Sequence, residues 1–516
     1  MQIYVLLLIM VLLGVGPMAA PPPASMPTWQ VVALAVGPYL LPMALAWGGC
    51  VWAVGVMRHR SHRARRAVER LHMGLTGLRW LSLGWYIYTL AGLGWLAWLQ
   101  ANLGDLVLVH ELIVLIPPLL VPVVMWWAYY PVERRMREQM LLRQLDRGEP
   151  VYAFYRRGPY VLEQVRHQLL LILVPMVLVL LWIDLSERYL LRWLAVEAYA
   201  GAVILAGGLA IFAVAPLIIR RVWNTIVMPA GELRERLVGL CRLNGVKVRE
   251  LLLWRTHTGL VNGAVLGLAP PLRYILLTDG LVEQLSNDQI EAVMAHELGH
   301  VRRRHMFWLA VCAFGTLVAL FTLADLLLVG LAKRGWIDAE AMSLATWQSP
   351  HGDVVSLIIS GGAVAAAMLG WIALFGYISR RFERQADTFA AQHFAIAQAQ
   401  GDAHPHQGDA DDADDADAAP PNDQPQPAAP PTITPHAAEV MAGALLSVAS
   451  LNAINPARKS WRHGSIDWRA EYLRNLVGTR VDRCQIDRDV RAISYTCGLL
   501  LIAALAVQRF VVVPLA

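Results

Sequence analysis

Apolar runs recur along the chain at about 30–57, 74–101, 106–130, 168–183, 193–219, 307–332, 354–378 and 494–514. Most approach the ~20 residues that a helix needs to cross a bilayer. The pattern predicts a mainly α, polytopic membrane protein with seven to eight spanning helices. The loops between them set the orientation. Arg58, Arg60, Arg63, Arg65, Arg66 and Arg70 face a single Glu69, and the 131–167 loop holds Arg134, Arg135, Arg137, Arg143, Arg147, Arg156 and Arg157. Both loops are expected on the cytoplasmic side. Alternation from there puts the ANLGD and DLSER connections outside and returns the chain to the cytoplasm at Arg220 and Arg221.

Residues 220–306 depart from the membrane pattern. AGELRERLVGLCRLNGV has helical spacing and stops at Asn244 and Gly245, while VRELLLWRT, GLVNGAVLG and RYILLTDGL read as strands between turn residues. Ser286, with Gln289 three residues on, forms a capping box in front of IEAVMAHELGHVRRR, so that segment begins a helix. After the hairpin of 307–378, SRRFERQADTFAAQHF (379–396) is helical again. Residues 397–436 are Ala, Asp, Pro and Gln with almost nothing to bury, and are expected to be a disordered acidic insertion. Residues 437–491 read as the rest of the soluble part, and 492–516 as a last membrane helix. Residues 1–25 combine an apolar run with a Pro-rich break and read as either a signal peptide or a retained anchor. Residues 26–219 hold the other membrane helices.

Composition narrows the function. A chain 57% hydrophobic and only 16% charged is too apolar for an ordinary soluble domain. Its net charge of +5 comes from arginines in short loops, so membrane orientation explains it better than nucleic acid does. The partner that composition implies is the bilayer; polypeptide substrates are expected from the chemistry that follows. Cys50, Cys241, Cys312, Cys484 and Cys497 lack C-x-x-C spacing and suggest neither a disulfide framework nor a thiolate metal site.

The candidate chemistry lies in HELGH. His296 and His300, four apart on a helix, present both imidazoles on one face to one cation, with Glu297 beside them in reach of a bound water. A chance H-E-x-x-H is expected on the order of once in fifty such chains, so the motif alone does not decide. HELIV, from His110 and Glu111, serves as a control. Val114 occupies the place of a second ligand, and the pair is expected at the membrane interface. A catalytic zinc keeps three protein ligands and an open position. Glu383 in FERQAD is the candidate third ligand, on a helix the hairpin returns to the same surface. Asp387, one turn on, is placed to accept the outer N–H of a ligand histidine. Arg302, Arg303 and Arg304 read as snorkelling charges ahead of the next span.

HELGH, a membrane hairpin and then SRRFERQAD together resemble the integral-membrane zinc endopeptidases that include the type 1 CAAX prenyl proteases and HtpX-type heat-shock proteases, of the gluzincin kind. The resemblance covers about residues 220–475. It implies a zincin-like α+β catalytic domain and one Zn2+ per chain, held by His296, His300 and Glu383. It makes Glu297 the general base on zinc-bound water and Asp387 the partner of a ligand. The family's Asn-bearing strand falls on Asn262 as a substrate-binding position, with Gly263 where alanine is usual. Its His and Arg six apart fall on His463 and Arg469, with Gly464 in place of proline, as oxyanion donors. Prenylated substrates are not implied. Two other readings stay open: an intramembrane metalloprotease, for which Asp325 is the available aspartate, and a non-proteolytic zinc-containing scaffold or sensor.

Overall fold

The computed structural model describes residues 2–15, 21–22, 25–59, 63–104, 106–146, 156–190, 200–256, 260–336, 354–403, 430–452 and 454–512. The expected acidic insertion falls largely outside them. The helix entering it runs on to Ala403, as the Ala-Gln run after Phe394 favours. The described residues resume at 430, ahead of the expected 437. Thr434 there caps helix Pro435–Leu451 by accepting from Ala437 N–H at 3.1 Å, with proline at the first helical position, where its missing donor costs nothing.

The chain divides into two compact units, residues 1–225 and 226–516. Seven helices among the described residues are long and apolar enough to span a membrane: Thr28–His59, Val109–Glu138, Arg157–Leu190 and Ala200–Val222 in the first unit, and His305–Lys333, Gly362–Gln400 and Val481–Phe510 in the second. This is an integral membrane protein. The apolar run at 74–101 is not one span. It breaks between helices Ala64–Ala91 and Trp95–Leu103, where Gly94 takes φ +63°, a backbone open to glycine and strained for most other residues.

Within the first unit, helix Gln2–Val15 buries Val5, Leu8 and Ile9 completely and is part of the core. Its Tyr4 hydroxyl donates to the Pro118 carbonyl at 2.9 Å. That carbonyl needs a donor because Pro122, four residues on in the same helix, has no N–H to offer. His110, expected at a membrane interface, is 1% exposed inside this unit, with no hydrogen-bond partner among the described residues.

The second unit carries a four-stranded sheet of order β1-β2-β4-β3, formed by Thr225–Val227, Glu250–Trp254, Gly263–Leu266 and Tyr274–Thr278 for β1, β2, β3 and β4. β4 runs parallel to β2 and antiparallel to β3. Every residue of β4 is buried, which is why YILLT reads as an unbroken apolar run rather than an alternating one. Its four large side chains each contribute about 1.5–3 kcal/mol of burial. β3 is an edge strand. The motif helix, Asn287–Arg302, packs against β3, against the long helix Val354–Ala403 and against Pro435–Leu451. The second arm of the hairpin and the segment bearing Glu383 are thus one continuous helix from Val354, where the sequence suggests separate segments meeting at 378.

Candidate metal centre

The capping box forms as its residues require: Ser286 Oγ accepts from Gln289 N–H, and Gln289 Oε1 accepts from Ser286 N–H, both at 3.3 Å. This fixes the start of the motif helix and therefore the phase at which its histidines emerge. Gly299, between them, lets helix Val354–Ala403 come close. A Cβ there would lie 3.2 Å from Phe389 Cβ and 3.3 Å from Ala386 Cα. That close approach brings Glu383 and Asp387 up to the histidines.

His296 Nε2 lies 3.2 Å from His300 Nε2 and 3.8 Å from Glu383 Oε2, and His300 Nε2 lies 3.9 Å from Glu383 Oε1. Donors about 2.1 Å from a tetrahedral zinc sit about 3.4 Å apart, so three atoms at these separations fit one such ion. Two imidazoles and a carboxylate also match zinc in kind. These three form a candidate metal group among the described residues.

Asp387, fully buried, faces His296 Nδ1 at 2.9 Å. It also receives Arg469 through both ends of the guanidinium, from Nε at 2.7 Å and Nη2 at 2.6 Å. Arg469 Nη1 remains free of that fork and lies 3.6 Å from Glu383 Oε2, while His463 Nδ1 lies 3.0 Å from the same oxygen. Arg469 is buried and His463 half exposed at the rim. Burial works against the Arg469 charge, but Asp387 more than compensates and holds the guanidinium protonated. Burial alone would lower His296, yet the Asp387 carboxylate lifts it above the usual histidine range. Burial and the neighbouring His296 hold His300 well below that range. Burial pushes the Glu297 carboxyl up, with Glu383 adding to the rise and His296 pulling part of it back.

Glu297 opens into a cleft of about 710 Å³ that also exposes His296, His300, Glu383, Asn262 and His463. One wall is the free edge of β3. Gly263 accounts for how close that wall stands, since a Cβ there would meet Val293 Cγ1 at 2.9 Å and Glu297 Cγ at 3.6 Å. Asn262 is exposed at the start of the strand; its N–H donates to Thr278 Oγ1 at 2.9 Å and its carbonyl accepts from Thr278 N–H at 3.0 Å. Gly464 takes φ +78° in a turn closed by reciprocal bonds with Ser460 at 2.9 and 3.0 Å. Proline is locked near −65° and cannot adopt this conformation, so the departure from the usual proline is a property of this turn. Arg380 Nη1 donates to Trp461 O at 2.8 Å and fastens the turn, with His463 on it, to the ligand helix.

The sequence singled out Asn262, His296, Glu297, His300, Glu383, Asp387, His463 and Arg469, and all of them meet here. Gly299 gave no signal beyond the motif's spacing. Residues 256–404 match peptidase family M48. The matched segment holds Asn262, the three ligands, Glu297 and Asp387, and stops short of His463 and Arg469. It agrees with the resemblance to membrane zinc peptidases of the CAAX protease and HtpX kind. Among curated relatives, the chain is 28% identical to a protease HtpX homolog of Moorella thermoacetica, over 30% of this chain and 59% of that one. It is 31% identical to a protease HtpX homolog of Tropheryma whipplei, over 28% of this chain and 49% of that one. The chain thus spans about half to three fifths of the length of these relatives. A crystal structure of S. mikatae Ste24p is similar at a TM-score of 0.46 and 12% identity, covering 87% of this chain and 99% of that one.

Proposed function

We propose that this chain is a zinc-dependent endopeptidase that hydrolyses peptide bonds of membrane or membrane-proximal proteins. The observation that carries the proposal is the convergence of His296, His300 and Glu383 at donor separations suited to one zinc, in the same cleft as Glu297 and an unpaired strand edge. Zinc held by these residues would supply a Lewis acid for the scissile carbonyl and a water acidified toward neutrality. Glu297 accepts the proton of the attacking water and delivers it to the leaving amine. Its carboxyl, raised by burial, is a better base than an exposed glutamate.

The substrate lies extended along β3 and pairs with its main chain, with Asn262 at the entry end. His463 and the Nη1 edge of Arg469 face the developing oxyanion. The other two nitrogens of Arg469 hold Asp387, which in turn orients His296. The basic loops support a cytoplasmic orientation for this cleft, and a bacterial inner membrane is part of the same proposal. The full chain, purified in detergent with zinc, is expected to cleave an unstructured protein such as casein. A chelator should abolish the cleavage and added zinc restore it. Cleavage that survives in His296→Ala and His300→Ala overturns the proposal.

A further inference from the structure

His305 closes the HELGHVRRRH stretch but belongs to the membrane helix that follows, and the chemistry above makes no use of it. The chain reaches it through an unusual step. The motif helix ends at Arg302, Arg304 takes φ +55°, and the next helix starts at His305. A non-glycine residue in the left-handed region costs of order 1 kcal/mol or more, and such strain persists where the surroundings enforce it. Here it folds His305 back beneath His300, where the two Nδ1 atoms stand 2.9 Å apart. The ring is 1% exposed and meets Phe382 edge-on, with centroids 4.9 Å apart.

On its far side His305 Nε2 lies 2.9 Å from Gln385 Oε1, and Gln385 Nε2 donates to Asp487 Oδ1 at 2.7 Å. Arg303 Nη2 donates to the other oxygen of Asp487 at 3.2 Å. The polarity of this chain is determined from its outer end. Asp487 accepts, so the Gln385 amide must turn its nitrogen outward and its oxygen toward His305. His305 then carries its proton on Nε2 and offers the Nδ1 lone pair to His300. His300 must therefore carry its own proton on Nδ1, which leaves the Nε2 lone pair directed at His296 Nε2 and Glu383, where the cation would sit.

We infer that His305 and Gln385 are positioning residues that relay the polarity of Asp487 to His300, fixing the tautomer in which it binds the metal. This rests on the zinc reading above. The two ligand histidines are then held by different devices. His296 leans on a buried carboxylate directly, whereas His300 is held through a neutral ring and an amide that link three membrane-entering helices. Ligand orienters of this kind are worth about 10- to 100-fold in metal affinity.

The test uses the full chain in detergent, with Zn2+ affinity measured by competition against a chromophoric chelator and the Co2+ form examined by visible absorption. His305→Phe keeps the ring shape and removes the acceptor. It should weaken zinc binding about 10- to 100-fold and change the cobalt spectrum. Gln385→Leu, which touches neither histidine bound to the site, should weaken it about 10-fold. His305→Gln, whose amide oxygen can accept the same proton, should recover part of the loss. If His305→Phe does not yield folded protein, Gln385→Leu decides. Wild type binding one zinc while Gln385→Leu matches it in affinity and spectrum overturns the relay. Wild type binding no zinc overturns the underlying metal reading instead.

Discussion

At the scale of single residues, the site depends on side chains whose chemistry the sequence announces and on glycines whose value lies in what they omit. Gly464 is the clearest case. Its φ of +78° shapes the turn that holds His463 3.0 Å from Glu383. Gly464→Pro cannot keep that turn, so it should lower kcat about 10²- to 10³-fold, as loss of an oxyanion donor does. Zinc content should be unchanged, because no ligand lies on the turn. Steady-state kinetics and metal analysis of Gly464→Pro beside His463→Ala check this, and the two variants are expected to match. The candidate ligands and the candidate base were legible as a cluster because H-E-x-x-H and E-x-x-x-D impose local helical spacing. His305 and Gln385 were not, since they meet across 80 residues of chain and no periodic pattern encodes such a pairing.

At the scale of elements, the metal centre is a meeting of the motif helix with the ligand helix, and a polar clasp reinforces that meeting away from the ligands. Glu291 on the motif helix receives Arg236 Nε at 2.6 Å and faces His393 Nε2 at 3.1 Å. Burial pushes the Glu291 carboxyl up, but His393 and Arg236 outweigh it and hold it below the usual glutamate range. A depressed carboxyl contributes stability above its unfolded pKa, near 4.3, and loses it as pH falls through the lower folded value. In the presence of a chelator, the thermal midpoint of the wild type should therefore drop below about pH 4.3, and Glu291→Gln should show a smaller drop. Melting curves across that pH range test the clasp. The strands and the capped motif helix were readable because turn residues and caps mark their ends. The 74–101 run was misread because hydropathy does not register the break that Gly94 makes.

At the scale of the whole molecule, the proposed function makes the membrane hairpin part of the catalytic architecture. Helix His305–Lys333 leaves the motif helix within three residues, and helix Val354–Ala403 returns carrying Glu383 and Asp387. Spanning segments and the proposed hydrolytic site are thus built from the same helices, which suits the proposed action on substrates in or beside the bilayer. Gross hydropathy revealed the membrane character. It did not reveal that helix Gln2–Val15 packs into the core of its unit, because hydropathy alone does not tell a packed apolar helix from a lipid-facing one. The most direct test of the account replaces Glu297 by glutamine, which keeps the shape and removes the base. Wild type and Glu297→Gln should each bind one zinc per chain, and the variant should cleave casein about 10²- to 10⁴-fold more slowly. A zinc-loaded Glu297→Gln that cleaves as fast as wild type would contradict it.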